Sequence, residues 1–135
     1  MIHRHAIKVR FYELDPYNHL NHSAYIQYFE VGRIELLDSI GFGLSRLQDV
    51  GCYLVVTEIH TRFLKSAGPH DELVVETELG EMRRASSTWN QRMMRGDDLL
   101  ATQTVSFAAT NAEGKPIRLP QNLVAAFAAF SATEE

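Results

Sequence analysis

Apolar and polar residues alternate near the start of the chain, and apolar residues then recur at helical spacing. Ile7, Val9 and Phe11 take every second position within residues 5–12, which is the period of a half-buried strand. Across residues 23–40 the apolar positions return at three- and four-residue steps, so they lie on one face of a helix. The pattern therefore predicts a strand followed by a long amphipathic helix.

The predicted helix carries recognisable signals at both ends. Asn21 or Ser23 can cap its first turn, and Gly41 can end it. Gly32 lies on the apolar face, although glycine costs a helix about 1 kcal/mol relative to alanine. A glycine at this position indicates that another element packs closely against the helix, and we expect that element to be a sheet.

Four strand-like runs follow a short helix at residues 44–50. They cover residues 53–64, 72–82, 86–95 and 99–111. The connections between them are short, which suits antiparallel neighbours and predicts a meander. The chain then turns at residues 111–116 and ends in a short helix that carries Leu123, Phe127 and Phe130. This order of elements predicts an α+β fold.

Composition narrows the class of protein. A chain of 135 residues with 45% apolar residues suits a single globular domain, residues 1–135. The net charge of −4 argues against a nucleic-acid or anionic-membrane partner. Cys52 is the single cysteine, so the chain has no internal disulfide, and no apolar run suggests a signal peptide or a membrane span. We therefore expect a cytoplasmic protein.

The segment between the first strand and the long helix contains a candidate site. Asp15 precedes the helix start, where backbone N–H groups lack helical partners and carry partial positive charge. A carboxylate and an oxyanion cradle in one segment are two main parts of a hydrolytic site. The segment reads Arg10-Phe11-x-Glu13-Leu14-Asp15-x-x-x-His19-Leu20-Asn21-His22-x-x-Tyr25, continuing to Tyr28-Phe29-Glu30 and Arg33.

This segment resembles the opening of the hotdog-fold acyl-CoA thioesterases, in particular the 4-hydroxybenzoyl-CoA thioesterase and YbgC-like branches. Relatives often have glycine where this chain has Asn18, and asparagine is the residue that best replaces glycine in a left-handed backbone. Ser66 stands where many relatives have proline. The resemblance implies a curved antiparallel five-stranded sheet wrapped around a long central helix. It also implies a homodimer, or a dimer of dimers forming a homotetramer, with sites between protomers.

By the same resemblance, Asp15 corresponds to the catalytic carboxylate and acts either as nucleophile on the thioester carbon or as general base for a water. The backbone N–H groups around His22 would hold the carbonyl oxygen. Without the resemblance, Asp15 would be interpreted as a cap for the turn before Pro16. No cofactor and no metal are expected, although His19, His22 and Asp15 are metal-ligand types.

Further residues of the segment and of the predicted strand ends are candidates for substrate binding. Asn21, Tyr25, the His22 side chain and, more weakly, His19 would line the pocket; helix capping and core packing are the alternatives for Asn21 and Tyr25. The phosphates of coenzyme A need basic side chains, for which the candidates at strand ends are Lys65, Arg83, Arg84 and Arg95. Simple solvation is the alternative for each of these charges. Glu30 and Arg33 are expected to form an exposed or interfacial ion pair.

Other functions fit the spacing less well. Residues 43–47 lack the closing glycine of a serine-hydrolase elbow, and residues 41–43 lack the third glycine of a dinucleotide site. A hotdog hydratase pairs Asp and His through four intervening residues, whereas Asp15 and His19 have three. A non-catalytic acyl-CoA-binding module remains the alternative from another class. The acyl group and the thiol carrier, CoA or an acyl-carrier protein, stay open.

Overall fold

The alternating and helical patterns correspond to five strands and three α-helices within residues 1–133, which are the residues that this computed structural model describes. Strand β1 covers Ile2–Lys8, and a 3-10 turn at Phe11–Glu13 leads to helix α1 at His22–Ser39. The remaining elements, in chain order, are α2 (Leu44–Asp49), β2 (Tyr53–Phe63), β3 (Glu72–Met82), β4 (Ser86–Arg95), β5 (Asp98–Thr110) and α3 (Gln121–Ala132).

The five strands form one antiparallel sheet in the order β1-β3-β4-β5-β2. Strands β3, β4 and β5 form the predicted meander, but β2 pairs with β5 and lies at an edge of the sheet. The prediction that β2 neighbours β3 is therefore wrong. Its connection, residues 64–71, is short enough for antiparallel neighbours, yet it carries the chain from the β2 edge to a strand on the other side of the sheet.

The first strand ends earlier than its alternation predicts. Val9 is buried and donates its N–H to the carbonyl of Asp71 at 2.9 Å, but the chain then leaves the sheet. In the 3-10 turn Arg10 donates its backbone N–H to the Glu13 carboxylate at 2.9 Å. Phe11 is consequently 82% exposed, so its predicted place in a half-buried strand is wrong.

Helix α1 lies against the inner face of the sheet, and its ends are those that the sequence predicts. The Asn21 side chain caps the first turn, and Gly41 follows the last turn with a φ of +85°. Gly32 faces β3, where a Cβ built on it would lie 2.5 Å from Val75 Cγ1. The prediction of a close-packed sheet at Gly32 is confirmed, and the arrangement is the α+β hotdog architecture.

A buried polar layer separates the two halves of the core. Arg33 is 4% exposed, and its Nη1 donates to Gln91 Oε1 at 2.9 Å and to Gln103 Oε1 at 2.6 Å. Burial lowers the pKa of this guanidinium, while the nearby charge of Glu30 opposes that shift. Glu30 and Arg33 form no ion pair within the described residues, so that expectation is wrong.

Candidate active site

The turn before α1 is built around the carboxylate of Asp15. Its Oδ1 accepts the backbone N–H groups of Tyr17 at 2.9 Å and of His19 at 3.0 Å. Asn18 completes the turn with a φ of +63°, the left-handed conformation that asparagine tolerates. Asp15 is half-buried, and its Oδ2 has no hydrogen-bond partner among residues 1–133. One carboxylate oxygen therefore shapes the turn while the other is available for chemistry.

A second set of contacts fixes this turn against the helix. The Tyr28 hydroxyl of α1 donates to the Glu13 carboxylate, and Asn21 donates its N–H to the Glu13 carbonyl at 2.9 Å. Burial and the hydrogen bond to Glu13 raise the pKa of Tyr28, so its hydroxyl stays a donor at neutral pH. Glu13 thus ties the 3-10 turn to α1 through its side chain and to the helix cap Asn21 through its carbonyl.

The first turn of α1 leaves a backbone donor at the same place. Asn21 Oδ1 accepts the Ser23 N–H at 3.0 Å and the Ser23 hydroxyl at 2.8 Å. Its carbonyl accepts the Ala24 N–H at 2.9 Å. The His22 N–H has no acceptor within the described part of the chain. It therefore carries the partial positive charge of a helix amino end without an internal partner.

These groups share a cleft of about 250 Å³ between the start of α1 and the end of β2. Its lining residues are Asp15, His19, Leu20, His22, Tyr25, Phe63, Leu64, Lys65 and Ser66. Five of the residues predicted for the site are thus brought together. Asn21 caps the helix beside the cleft, as its alternative interpretation predicts.

Phe63 is the main wall that the sequence interpretation missed. Its ring meets the Tyr25 ring edge-on at 5.3 Å and the His22 ring at 6.5 Å between centroids. Phe63 is 48% exposed although it is a large apolar residue. Nothing in the local pattern marks it, because it follows His22 by about forty residues and reaches the cleft only through the β2–β5 pairing.

The basic candidates do not all lie at the cleft. Lys65 lines it, and its ammonium pairs with Asp98 at 3.1 Å. Arg83 and Arg84 follow the far end of β3, whereas the cleft lies near the end where β3 begins. Within one protomer the structure therefore does not bring these two arginines to Asp15. Arg95 is not among the residues that line the cleft; it donates to the Asp71 carboxylate at 2.8 Å and to the carbonyl of the lining residue Ser66 at 3.2 Å.

The described residues contain neither a metal-binding cluster nor a helix that could span a membrane. Within residues 1–133, no group of three or more His, Cys, Asp or Glu side chains is arranged to hold a metal ion. None of the described helices combines the length and the apolar character needed to cross a bilayer. A larger recess of about 360 Å³ lies between α1, α2 and the first half of β2, and Asp15 is not among its walls.

Comparison with known proteins decides the family. The sequence model of the thioesterase-like superfamily matches residues 9–127. The chain belongs to the thioesterase-like superfamily. Its sequence is 29% identical to the acyl-CoA thioesterase YbgC of Haemophilus influenzae over 123 residues, which cover 90% of each chain. It is 26% identical to the acyl-acyl carrier protein thioesterase ATL3 of Arabidopsis thaliana, covering 95% of this chain and 68% of the relative.

Solved structures agree with the architecture of the superfamily. The DHNA-CoA thioesterase of Staphylococcus aureus superimposes with a TM-score of 0.88 at 22% identity, covering 97% of this chain and 91% of that one. At this identity the likeness shows the fold alone. Together with the family match, it confirms the hotdog fold. The family match and the likeness to the YbgC acyl-CoA thioesterase place the chain among the thioester hydrolases.

Proposed function

We propose that this thioester hydrolase cleaves an acyl-CoA to the free acid and CoA, with Asp15 as the reacting carboxylate and the His22 N–H as oxyanion donor. The observation that carries the proposal is the pairing of two groups without internal partners in one cleft. Asp15 Oδ2 is an acceptor and the His22 N–H is a donor at a helix amino end. A thioester carbonyl held between them would develop its negative charge toward the donor.

Two routes use this geometry. As a general base, Asp15 Oδ2 takes a proton from a water whose oxygen attacks the thioester carbon, and the C–S bond then breaks. As a nucleophile, Oδ2 attacks that carbon itself, releases the thiolate and forms an anhydride that water hydrolyses. In both routes the carbonyl oxygen becomes an oxyanion, so His22 N–H stabilises the same charge.

The acyl group proposed for this cleft is apolar. Leu20, Phe63 and Leu64 line it beside Tyr25, and such walls accept aliphatic chains and aromatic rings. The Tyr25 hydroxyl is bonded to two backbone groups, and burial raises its pKa. Tyr25 therefore shapes the pocket rather than exchanging protons.

We propose that the active form is at least a homodimer paired through β2. This strand is an edge of the sheet, and its apolar side chains are unusually open. The exposed members there and just beyond are Tyr53, Val55, Val56, Ile59, Phe63 and Leu64, at 39–48%. An apolar edge strand with unpaired backbone groups suits pairing with a second copy.

Two-fold pairing would also complete the site. It would run the two β2 strands antiparallel, so Phe63 at the end of one would lie near the start of its partner. The start of β2 borders the larger recess described above. The same rotation would bring the far end of the partner's sheet, with the partner's Arg83, toward the cleft. Lys65 and the partner's Arg83 and Arg84 are then the proposed contacts for the CoA phosphates. A measurement of the mass in solution distinguishes a dimer from a dimer of dimers.

The decisive experiment replaces Asp15 with Asn. An asparagine Oδ1 can still accept the N–H groups of Tyr17 and His19, so the turn should persist. Turnover, followed as thiol release from short, long and aromatic acyl-CoAs and an acyl-carrier-protein thioester, should fall by about a hundredfold or more. A folded Asp15→Asn protein with wild-type turnover would refute the role of Asp15. If the wild type releases thiol from none of these thioesters, the result would favour a non-catalytic binding module. The cytoplasmic location is a separate prediction, which this assay does not test.

A further inference from the structure

Ser66 is a polar residue of the cleft that the proposed reaction does not yet use. It lines the cleft with Asp15, and its side chain is exposed. Neither its hydroxyl nor its N–H has a hydrogen-bond partner among residues 1–133. Ser66 therefore offers a free donor and a free acceptor to the cleft that contains the proposed reacting carboxylate.

The backbone on either side of Ser66 is fixed from helix α1. The Tyr25 hydroxyl accepts the Ala67 N–H at 2.9 Å and donates to the Lys65 carbonyl at 3.3 Å. Tyr25 itself is 4% exposed and so has little freedom to move. A single buried hydroxyl therefore holds both neighbours of Ser66 against the helix that presents the His22 N–H.

Further hydrogen bonds hold the same segment from two other directions. The Arg95 guanidinium donates to the Ser66 carbonyl at 3.2 Å and to Asp71 at 2.8 Å. Leu20, at the end of the Asp15 turn, donates its N–H to the Ala67 carbonyl at 2.8 Å. The position of Ser66 relative to the Asp15 turn is thus defined by the backbone. Its hydroxyl and its N–H have no hydrogen-bond partner among residues 1–133.

A water needs two acceptors if its lone pair is to be aimed at a carbon. Asp15 Oδ2 can take one hydrogen of such a water, and a second acceptor must take the other. The Tyr25 hydroxyl is already bonded twice, and the Lys65 ammonium is a donor only. The imidazoles of His19 and His22 also line the cleft, but Ser66 Oγ lies only two bonds from a Cα whose backbone is fixed by hydrogen bonds on both sides, and it has no other partner among residues 1–133.

We infer that Ser66 holds the attacking water together with Asp15, an inference that rests on the proposed thioesterase function. The water donates one hydrogen to Asp15 Oδ2 and the other to Ser66 Oγ. Its oxygen bonds to the thioester carbon as Asp15 takes the first proton, and the oxyanion forms at the His22 N–H. The C–S bond then breaks, and the thiolate takes the proton back from Asp15, which leaves the free acid and the thiol.

The test compares Ser66→Ala with Ser66→Thr. Alanine removes the acceptor, and kcat should fall about tenfold, the scale of one lost neutral hydrogen bond, while KM stays within about twofold. Threonine keeps the hydroxyl and should restore most of kcat. Ser45→Ala, which removes an exposed hydroxyl from α2 away from the cleft, is the matched control and should leave both constants unchanged. Because the Ser66 side chain has no partner, all three variants should melt like the wild type.

The outcomes separate this inference from the function on which it rests. A kcat of Ser66→Ala within twofold of the wild type, or a raised KM with unchanged kcat, overturns the water-holding role. A Ser66→Thr enzyme as slow as Ser66→Ala overturns it as well. If the wild type releases no thiol at all, both proposals fail together. An active wild type, an inactive Asp15→Asn and an unaffected Ser66→Ala would reject only the role of Ser66.

Discussion

Replacing Gly32 with alanine tests whether the sheet leaves any room for the central helix. The new Cβ would lie 2.5 Å from Val75 Cγ1, and 3.3 Å from Gln91 Nε2 and Thr77 Oγ1. Carbon atoms in good contact are about 3.5–4.0 Å apart, so the first contact is an overlap of roughly 1 Å. Val75 is fully buried on β3, and its β-branched side chain is stiff at χ1, so it gives way only at a cost.

The size of the effect follows from three opposing terms. Alanine favours a helix over glycine by about 1 kcal/mol. Overpacking a dense core costs about 1–3 kcal/mol. Gln91 Nε2 bonds the Phe29 carbonyl and Thr77, each at 2.9 Å, and losing one such bond costs roughly 1 kcal/mol more. We therefore expect Gly32→Ala to lower the free energy of unfolding by about 1–3 kcal/mol.

Urea unfolding at one fixed protein concentration measures this change, since the proposed dimer would link stability to concentration. The exposed Gln27 on the same helix supplies the control. Gln27→Ala should be more stable than Gln27→Gly by about 1 kcal/mol, which isolates the helix-propensity term. If Gly32→Ala is as stable as the wild type, the overlap is relieved without cost and the close-packing argument is wrong.

Three other predictions concern the cleft, the edge strand and acid stability. His22→Pro removes the proposed oxyanion N–H at a helix position that tolerates proline, and the extended Asn21 before it suits proline (ψ 138°). The kcat of His22→Pro should be about 10²–10³ lower than that of the wild type, whereas the kcat of His22→Ala, which keeps the N–H, should fall far less. Equal losses of kcat in the two variants would indicate that the His22 side chain, not its N–H, is what matters. Ile59→Lys should convert the proposed dimer to an inactive monomer, as measured on a sizing column with light scattering. A monomer that stays active would contradict the proposal that the partner completes the site. The Gly68 N–H and Arg95 lower the pKa of Asp71 in the folded protein. The ionised carboxylate therefore stabilises the fold at pH values above its unfolded-state pKa, and this contribution is lost as the pH falls through its folded-state pKa. Below about pH 4 the melting temperature of the wild type should drop more steeply than that of Asp71→Asn, and parallel curves would contradict this.

The elements that depend on local chemistry could be predicted from the sequence. Both ends of α1 follow from Asn21 and Gly41, whose capping roles depend only on neighbouring residues. The bounds of β3 and β4 match the predicted ones, because their turns and alternation lie within each run. Asn18 adopts the left-handed conformation for the same local reason.

Features that depend on distant parts of the chain were predicted less well. The length of the connection favours pairing β2 with β3, but it carries no information about which strand has a free edge for β2. In the structure that strand is β5. Helical spacing pairs Glu30 with Arg33, but the amide oxygens of Gln91 and Gln103 lie inside the sheet face that covers Arg33. A buried guanidinium binds acceptors that sequence spacing cannot locate.

Asp15 shows why the two interpretations of a turn aspartate need not exclude each other. A carboxylate has two oxygens, and the turn occupies only Oδ1. The hydrogen bonds that make Asp15 a cap also orient its carboxylate, so in the proposed mechanism the cap prepares Oδ2 for reaction. Asp15→Ala should therefore lose both the turn bonds and turnover, whereas Asp15→Asn loses turnover alone. The difference in unfolding free energy between these two variants measures how much the turn bonds of Asp15 stabilise the fold. The turnover lost in Asp15→Asn measures how much its carboxylate contributes to the reaction.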